Sequence, residues 1–386
     1  ARNLRENLKG IDAMSKNIWS KQGAICLVIT AIIGLNSNIV LADHQLKKSK
    51  EKMLKTHDLR TNKIPSLYKT DTVKATNPIE VPNSAKPNAA VRRIMENTEL
   101  LSVLYFDGTE ITTDEANKKY GVSNSSKHYS MSISKSFVGY MLGHAICDGH
   151  IKGVLDPIDS YVPETRGTVY QGETLRDLSN MTARDAKFFN SKDNGNRRYT
   201  QQVVNLKGTK PIVQLLARAK GVEKSSSKKF EYHGIKSDLV ARAVDTSVPG
   251  GLNSYLSEKV SRPAGFSNDI TFLRDRQGWP VGLAWFYLSR EDYLKFGIQV
   301  SKDWKSDSCI GKYLRDAYAN RNKSKNYGSF FWFKRGQNDL PRVEMRGHGG
   351  QRVIIKASDG SVLSILAMRA KYSRKDLEDL FLGQKF

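Results

Sequence analysis

The feature that most constrains the fold is a change of hydrophobic period along the chain. Near one end, Leu100–Phe106 is an apolar run closed by Asp107-Gly108 and followed by Glu110–Thr113, which predicts a β-hairpin. From Ser132 the period becomes helical. Phe137, Val138, Met141, Leu142, Ala145 and Ile146 recur on one stripe and Gly149 supplies a stop, predicting a strongly amphipathic helix. Helical patterns continue over Ile212–Lys220, Ser237–Asp245 and Leu252–Val260, the last ending before Arg262-Pro263. A further helix, Ser289–Val300, follows the apolar stretch Gly282–Leu288. Strand-like runs then return at Ser329–Lys334, Arg352–Lys356 and Ser361–Arg369, before a closing helix at Arg374–Leu382. Strands at both ends with helices between them predict an α/β fold of the α+β type. An antiparallel sheet is flanked by helices and carries an inserted helical lobe. The domain is expected over 91–386, with the sheet lobe at about 91–154 and 266–386 and the helical lobe at about 155–265.

The first ninety residues read differently. After Met14 come a basic stretch with Lys16 and Lys21, an apolar run from Ala24 to Leu35, and Val40-Leu41-Ala42. That order describes a secretory signal peptide over 1–42, with residues 1–13 as an N-terminal extension. The apolar run is shorter than the roughly 20 residues that span a bilayer. A periplasmic or secreted protein is therefore expected. Residues 43–90 are polar, Lys-rich and dotted with Pro65, Pro78, Pro82 and Pro87, which predicts an extended arm or linker.

Composition then excludes several classes. The formal charge is +23, and about +20 remains beyond residue 42. The positive charges are scattered and no nucleic-acid module is recognisable, so no nucleic-acid partner is expected. A basic surface that adheres to an anionic cell envelope is the reading kept. Neither a C-x-x-C pair nor H-E-x-x-H occurs, so no metal or cofactor is implied. Beyond residue 42 the cysteines are Cys147 and Cys309. An oxidising compartment permits a disulfide between them, and a buried free thiol at Cys147 is equally compatible with its place on the apolar side of a helix.

The chemistry centres on S-x-x-K. The pattern occurs at Ser49, Ser66, Ser132, Ser225 and Ser226, and only Ser132 opens a strongly patterned helix, in SMSISKSFVGYMLGHAI. Positions i and i+3 share a helix face, so Lys135 can reach the Ser132 hydroxyl. The helix N-terminus stabilises developing negative charge there, and with burial it pushes the lysine toward its neutral, basic form. A serine so placed is also a common N-cap. A Ser-His-Asp triad of the α/β-hydrolase kind is disfavoured, because the chain holds no G-x-S-x-G elbow.

Three segments in order carry a family resemblance. SISKSF with its apolar helix resembles the nucleophile segment of class C β-lactamases and their esterase relatives. KFEYHGIKSDLVARAV resembles the family's F-x-Y-x-S/N segment, and RGHGGQRVII its third motif. Softer echoes lie in TLRDLSNMTARD, LSEKVSRPAGF and GLAWFYLSREDYLKFG, so the likeness spans about residues 91–386. It implies the β-lactamase/transpeptidase-like fold. Ser132 would be the nucleophile, Lys135 and Tyr232 would carry the proton, and the backbone N–H groups of Ser132 and Gln351 would form the oxyanion hole. Substrate would bind along His348, Gly349 and Gly350. Trp285, Phe331 and Trp332 are candidate acyl-pocket aromatics, although aromatics in apolar strands more often fill cores; Trp285 is retained as a substrate-binding residue.

Two departures point toward the esterase and amidase branch, which includes the 6-aminohexanoate-dimer hydrolases. Gly234 stands where the family usually has Ser or Asn. His348 stands where β-lactamases and penicillin-binding proteins have a lysine that meets a substrate carboxylate. The expected activity is hydrolysis of a small ester or linear amide. The alternatives are a D,D-carboxypeptidase or β-lactamase, and an inactive relative that binds an envelope ligand.

Overall fold

The computed structural model describes residues 69–190, 195–196, 199–200, 203, 211–284, 286–336, 340–367 and 374–383. The expected signal peptide (1–42) and the expected arm up to residue 68 lie outside the described residues. The strands are β1 (Lys69–Val73), β2 (Leu100–Phe106), β3 (Ile111–Ala116), β4 (Lys127–Tyr129), β5 (Ile270–Arg274), β6 (Phe286–Ser289), β7 (Tyr327–Gly328), β8 (Phe331–Arg335), β9 (Pro341–Arg346), β10 (Arg352–Lys356) and β11 (Val362–Ala367). The longer helices are α1 (Ala89–Asn97), α2 (Ile133–Cys147), α3 (Gly234–Ser247), α4 (Arg290–Lys305), α5 (Cys309–Ala319) and α6 (Arg374–Leu382).

The larger sheet is antiparallel, in the order β3-β2-β11-β10-β9-β8-β7. Its two halves, one from each end of the domain, join where Val103 of β2 faces Ile365 of β11. Helices cover both faces, which is why β2 and β11 read as nearly continuous apolar runs instead of alternating ones. On one face Val91 and Met95 of α1 and Leu377 and Leu382 of α6 close over Leu100, Val103, Ile354, Leu363 and Ile365. On the other face α4 crosses β10 and β11, with Gly297 pressed against Val353 and Val362.

A second antiparallel sheet, β1-β5-β6-β4, was not foreseen. Its strands run three to five residues, too short to show a period of two. β1 falls in the expected arm and pairs with β5, Lys69 facing Arg274. Further along, Ile111 N–H donates to the Pro82 carbonyl (2.7 Å) and Ser84 N–H to the Ile111 carbonyl (3.0 Å). The described part of the arm is thus bonded into the fold.

The helix opening at Ser132 also departs from expectation. α2 is buried from Ile133 through Gly143 without a solvent face, so it is a central helix and not an amphipathic surface one. Its polar residues are satisfied by backbone: Ser134 donates to the Gly282 carbonyl (2.7 Å) and Ser136 to the Phe330 carbonyl (2.9 Å). At its far end Cys147 forms a disulfide with Cys309 at the start of α5, closing a 162-residue loop.

Candidate active site

Ser132 holds the N-cap position of α2, yet its hydroxyl caps no backbone N–H. It accepts a hydrogen bond from Lys135 Nζ at 3.1 Å. The residue before it, Met131, has a φ of 47°, a left-handed conformation that a side-chain-bearing residue holds only when its surroundings impose it. Lys135 donates a second, shorter bond (2.5 Å) to the carbonyl of Leu283. That carbonyl arrives on the connection between β5 and β6, which threads between α2 and α3. The threading needs a glycine: a Cβ at Gly282 would lie 2.8 Å from the Ser237 carbonyl oxygen, 2.9 Å from Ala241 Cβ and 3.0 Å from Val138 Cγ2.

Tyr232, two residues before α3, closes the group. Its phenol is close enough to the Ser132 hydroxyl to feel it electrostatically, and its ring centroid is 5.2 Å from Lys135 Nζ. Tyr327 and Trp332 flank it, with ring centroids each 5.9 Å away. Ser132, Lys135, Tyr232 and Trp332 border a cavity of about 680 Å³, large enough for a small organic substrate.

Burial sets the protonation states. It pulls the Lys135 amine down from the usual lysine range to about 7, against the opposing pull of the Asp238 carboxylate. It pushes the Tyr232 phenol up to about 12, with the Ser132 hydroxyl, the Arg352 charge and Tyr327 working the other way. At neutral pH the lysine is therefore the group that can present a free base, and the tyrosine is a proton donor.

Of the residues expected at the site, Ser132, Lys135 and Tyr232 come together and His348 lies exposed on the cavity wall. Gly349 and Gly350 form a positive-φ turn (86° and 108°) and do not line the cavity. Gln351 is buried, its carbonyl accepts from Gly347 N–H at 2.9 Å, and it is absent from the lining. At this corner Arg346, Gly347, His348 and Arg352 line the cavity. Trp285 lies outside the described residues. Trp332 lines the cavity while its neighbour Phe331 is wholly in the core.

The absence of a side chain at Gly234 has a steric counterpart, since a Cβ there would stand 3.2 Å from Leu283 and from Tyr199. His233 caps α3: its Nδ1 accepts from Ile235 N–H at 3.1 Å, and its ring stacks on Phe189. Sequence reasoning missed Leu283, Asp238, Arg346 and Arg352. Asp238 alone left a trace, as an acid inside the helical apolar stripe of Ile235, Leu239 and Ala241.

A sheet built from both chain ends, with a lysine held on a helix-terminal serine under an inserted lobe, is the arrangement of the β-lactamase-like hydrolases. Residues 89–381 match the Beta-lactamase family, and the chain belongs to it. Among solved structures it is similar to a putative 6-aminohexanoate-dimer hydrolase from Bacillus anthracis, at 15% identity and a TM-score of 0.67, with 81% of this chain and 88% of that chain covered. It is also similar to a D-stereospecific amidohydrolase from Streptomyces sp., at 14% identity and a TM-score of 0.56, covering 78% of this chain and 100% of that chain. A penicillin binding protein from Bacillus halodurans aligns at 14% identity and a TM-score of 0.59, covering 75% and 100%. Identities this low speak for the shared fold.

Proposed function

We propose that the chain is an exported serine hydrolase that cleaves a small ester or linear amide through an acyl-serine intermediate. The observation that carries this reading is the 3.1 Å contact between Lys135 Nζ and a Ser132 hydroxyl that has no capping duty. Ser132 Oγ attacks the substrate carbonyl carbon while its proton passes to the neutral Lys135 amine. The negative charge on the carbonyl oxygen falls at the α2 N-terminus, on the Ser132 N–H. The family resemblance assigns the second N–H to Gln351, at the turn that follows Gly350. The C–O or C–N bond then breaks, and the leaving group takes a proton relayed through Tyr232. Water repeats the sequence on the acyl-serine, releasing the acid and restoring the serine. The Cys147–Cys309 bridge supports export, because such bonds persist in oxidising compartments. The strongly basic chain supports association with an anionic envelope.

A second reading has its own support. Arg346 and Arg352 line the cavity beside His348. The guanidinium of Arg346 stands over the Trp332 ring (4.8 Å to the centroid), and Arg352 is fixed by the Gly347 and Gln351 carbonyls at 3.0 and 2.7 Å. Two guanidinium groups can replace the lysine that His348 displaced, which favours an acyl donor carrying a carboxylate, as in D,D-peptidase or β-lactam chemistry.

The test is intact-mass spectrometry after exposure to a fluorophosphonate and to a panel of p-nitrophenyl esters, linear amides and penicillins. The expected result is an adduct on Ser132 that is lost in Ser132→Ala. In Lys135→Ala the rate should fall about 10²–10⁴-fold with the fold retained. An adduct from penicillin and none from simple esters selects the carboxylate reading. A chain that takes no adduct from any probe is a ligand-binding relative and not an enzyme.

A further inference from the structure

Asp238, on the inward face of α3, has no exposed surface and plays no part in the acyl-transfer steps above. A buried carboxylate is unfavourable unless each oxygen is bonded; here each is committed, and burial still pushes the acid up to about 7, so its charge is only partly present at neutral pH. Oδ2 accepts from the Tyr199 hydroxyl at 2.6 Å, and Oδ1 accepts from the Leu283 N–H at 2.9 Å. Leu283 is the residue whose carbonyl accepts from Lys135 at 2.5 Å. One residue is thus held at its N–H by the acid and at its C=O by the base. Gly282, the preceding residue, is confined by both helices, so this short connection cannot drift.

We propose that Asp238 is a positioning residue of the site, gripping the Leu283 N–H so that the Leu283 carbonyl holds the Lys135 amine on Ser132. The inference rests on the reading of Lys135 as the base. An uncharged side chain could hold one N–H, so the acid has a second consequence: its charge favours the protonated amine and opposes the downward pull of burial on Lys135. The groups facing this pair are Tyr199, Asp275 beyond β5, which adds like charge to Asp238, and Tyr232, which Arg352 faces in turn.

The test uses the full chain labelled with [¹³Cε]lysine, the Lys135 resonance being identified by its loss in Lys135→Gln. In Asp238→Asn, which keeps an acceptor for Leu283, the Lys135 titration midpoint should fall by about one pH unit or more, and the acid limb of Ser132 labelling should move with it. In Asp238→Ala the grip is lost, and the labelling rate on the high-pH plateau should fall about 10–10²-fold. A purely structural acid would leave both readouts where they are, and a parent-like high-pH plateau in Asp238→Ala together with an unmoved midpoint in Asp238→Asn overturns the proposal. If that variant does not fold, Tyr199→Phe weakens the same charge by removing one donor. It should lower the midpoint by less, and if neither that midpoint nor the Asp238→Ala plateau moves, the proposal is overturned. A midpoint that moves in a chain whose Ser132 takes no label leaves Asp238 as stated and removes the acyl-serine reading instead.

Discussion

Replacing Gly282 by Ala tests how tightly the site depends on its scaffold. The added methyl would meet Ser237 O, Ala241 Cβ and Val138 Cγ2 at 2.8, 2.9 and 3.0 Å. Carbon–carbon contacts are comfortable at about 3.5–4.0 Å, so relief requires movement of roughly 0.5–1 Å. Val138 belongs to α2, and Ser237 and Ala241 belong to α3. The connection therefore cannot retreat from one helix without pressing on the other. Overpacking of this kind destabilises by about 1–3 kcal/mol. The functional effect should be larger, because the displaced segment carries the Leu283 carbonyl that fixes Lys135. A misplacement near 1 Å reduces rate by about 10²-fold. Urea unfolding and the rate of fluorophosphonate labelling of Ser132 measure the two effects on the same preparation. Gly153→Ala is the control, since a Cβ there meets nothing within 4 Å. If Gly282→Ala unfolds with the parent's midpoint and labels within twofold of its rate, the connection is not clamped and the account of how Lys135 is aimed is wrong.

Other outcomes follow from the same geometry. Because burial brings Lys135 to about 7, labelling of Ser132 should lose about tenfold per pH unit below that value and level off above it; stopped-flow rates from pH 5 to 9 decide, and a limb near the ordinary lysine range would contradict it. Lys236 and Asp185 form an ion pair at 3.0 Å with neither side chain exposed, and Lys236 also holds the Glu231 carbonyl beside Tyr232. Lys236→Met should therefore destabilise by about 3–5 kcal/mol in urea, whereas replacing both partners together with apolar residues should destabilise by less. The double change Cys147→Ser, Cys309→Ser reopens a 162-residue loop and should lower stability by about 2–4 kcal/mol, with Ser132 labelling unchanged in the cold.

What could be read directly from the chain was what is local. The β2–β3 hairpin, the helix after Ser132 and the reach of Lys135 to Ser132 depend on residues within a few positions of one another, where spacing alone dictates contact. α5 is also legible, since Ile310, Tyr313, Leu314 and Ala317 recur at helical spacing behind an N-cap Ser308, although polar neighbours dilute the pattern. Tyr232 and the Gly347–Gln351 turn were reached only through family resemblance, because nothing in their own neighbourhoods distinguishes them from core or turn residues.

The rest belonged to tertiary structure. β1 reads as arm until β5, some two hundred residues later, supplies its partner. Whether Cys147 meets Cys309 depended on where α5 docks. That α2 would be buried on every side, not on one stripe, depended on the sheet and α3 closing over a surface its composition left ambiguous. Above all, the buried environment that draws the Lys135 pKa down is assembled from Leu283, Asp238 and Tyr232, brought in by separate elements. A side chain's type and its spacing from a neighbour are written in the sequence. Its burial, and so the proton it keeps or yields, exists only once distant segments have excluded water around it.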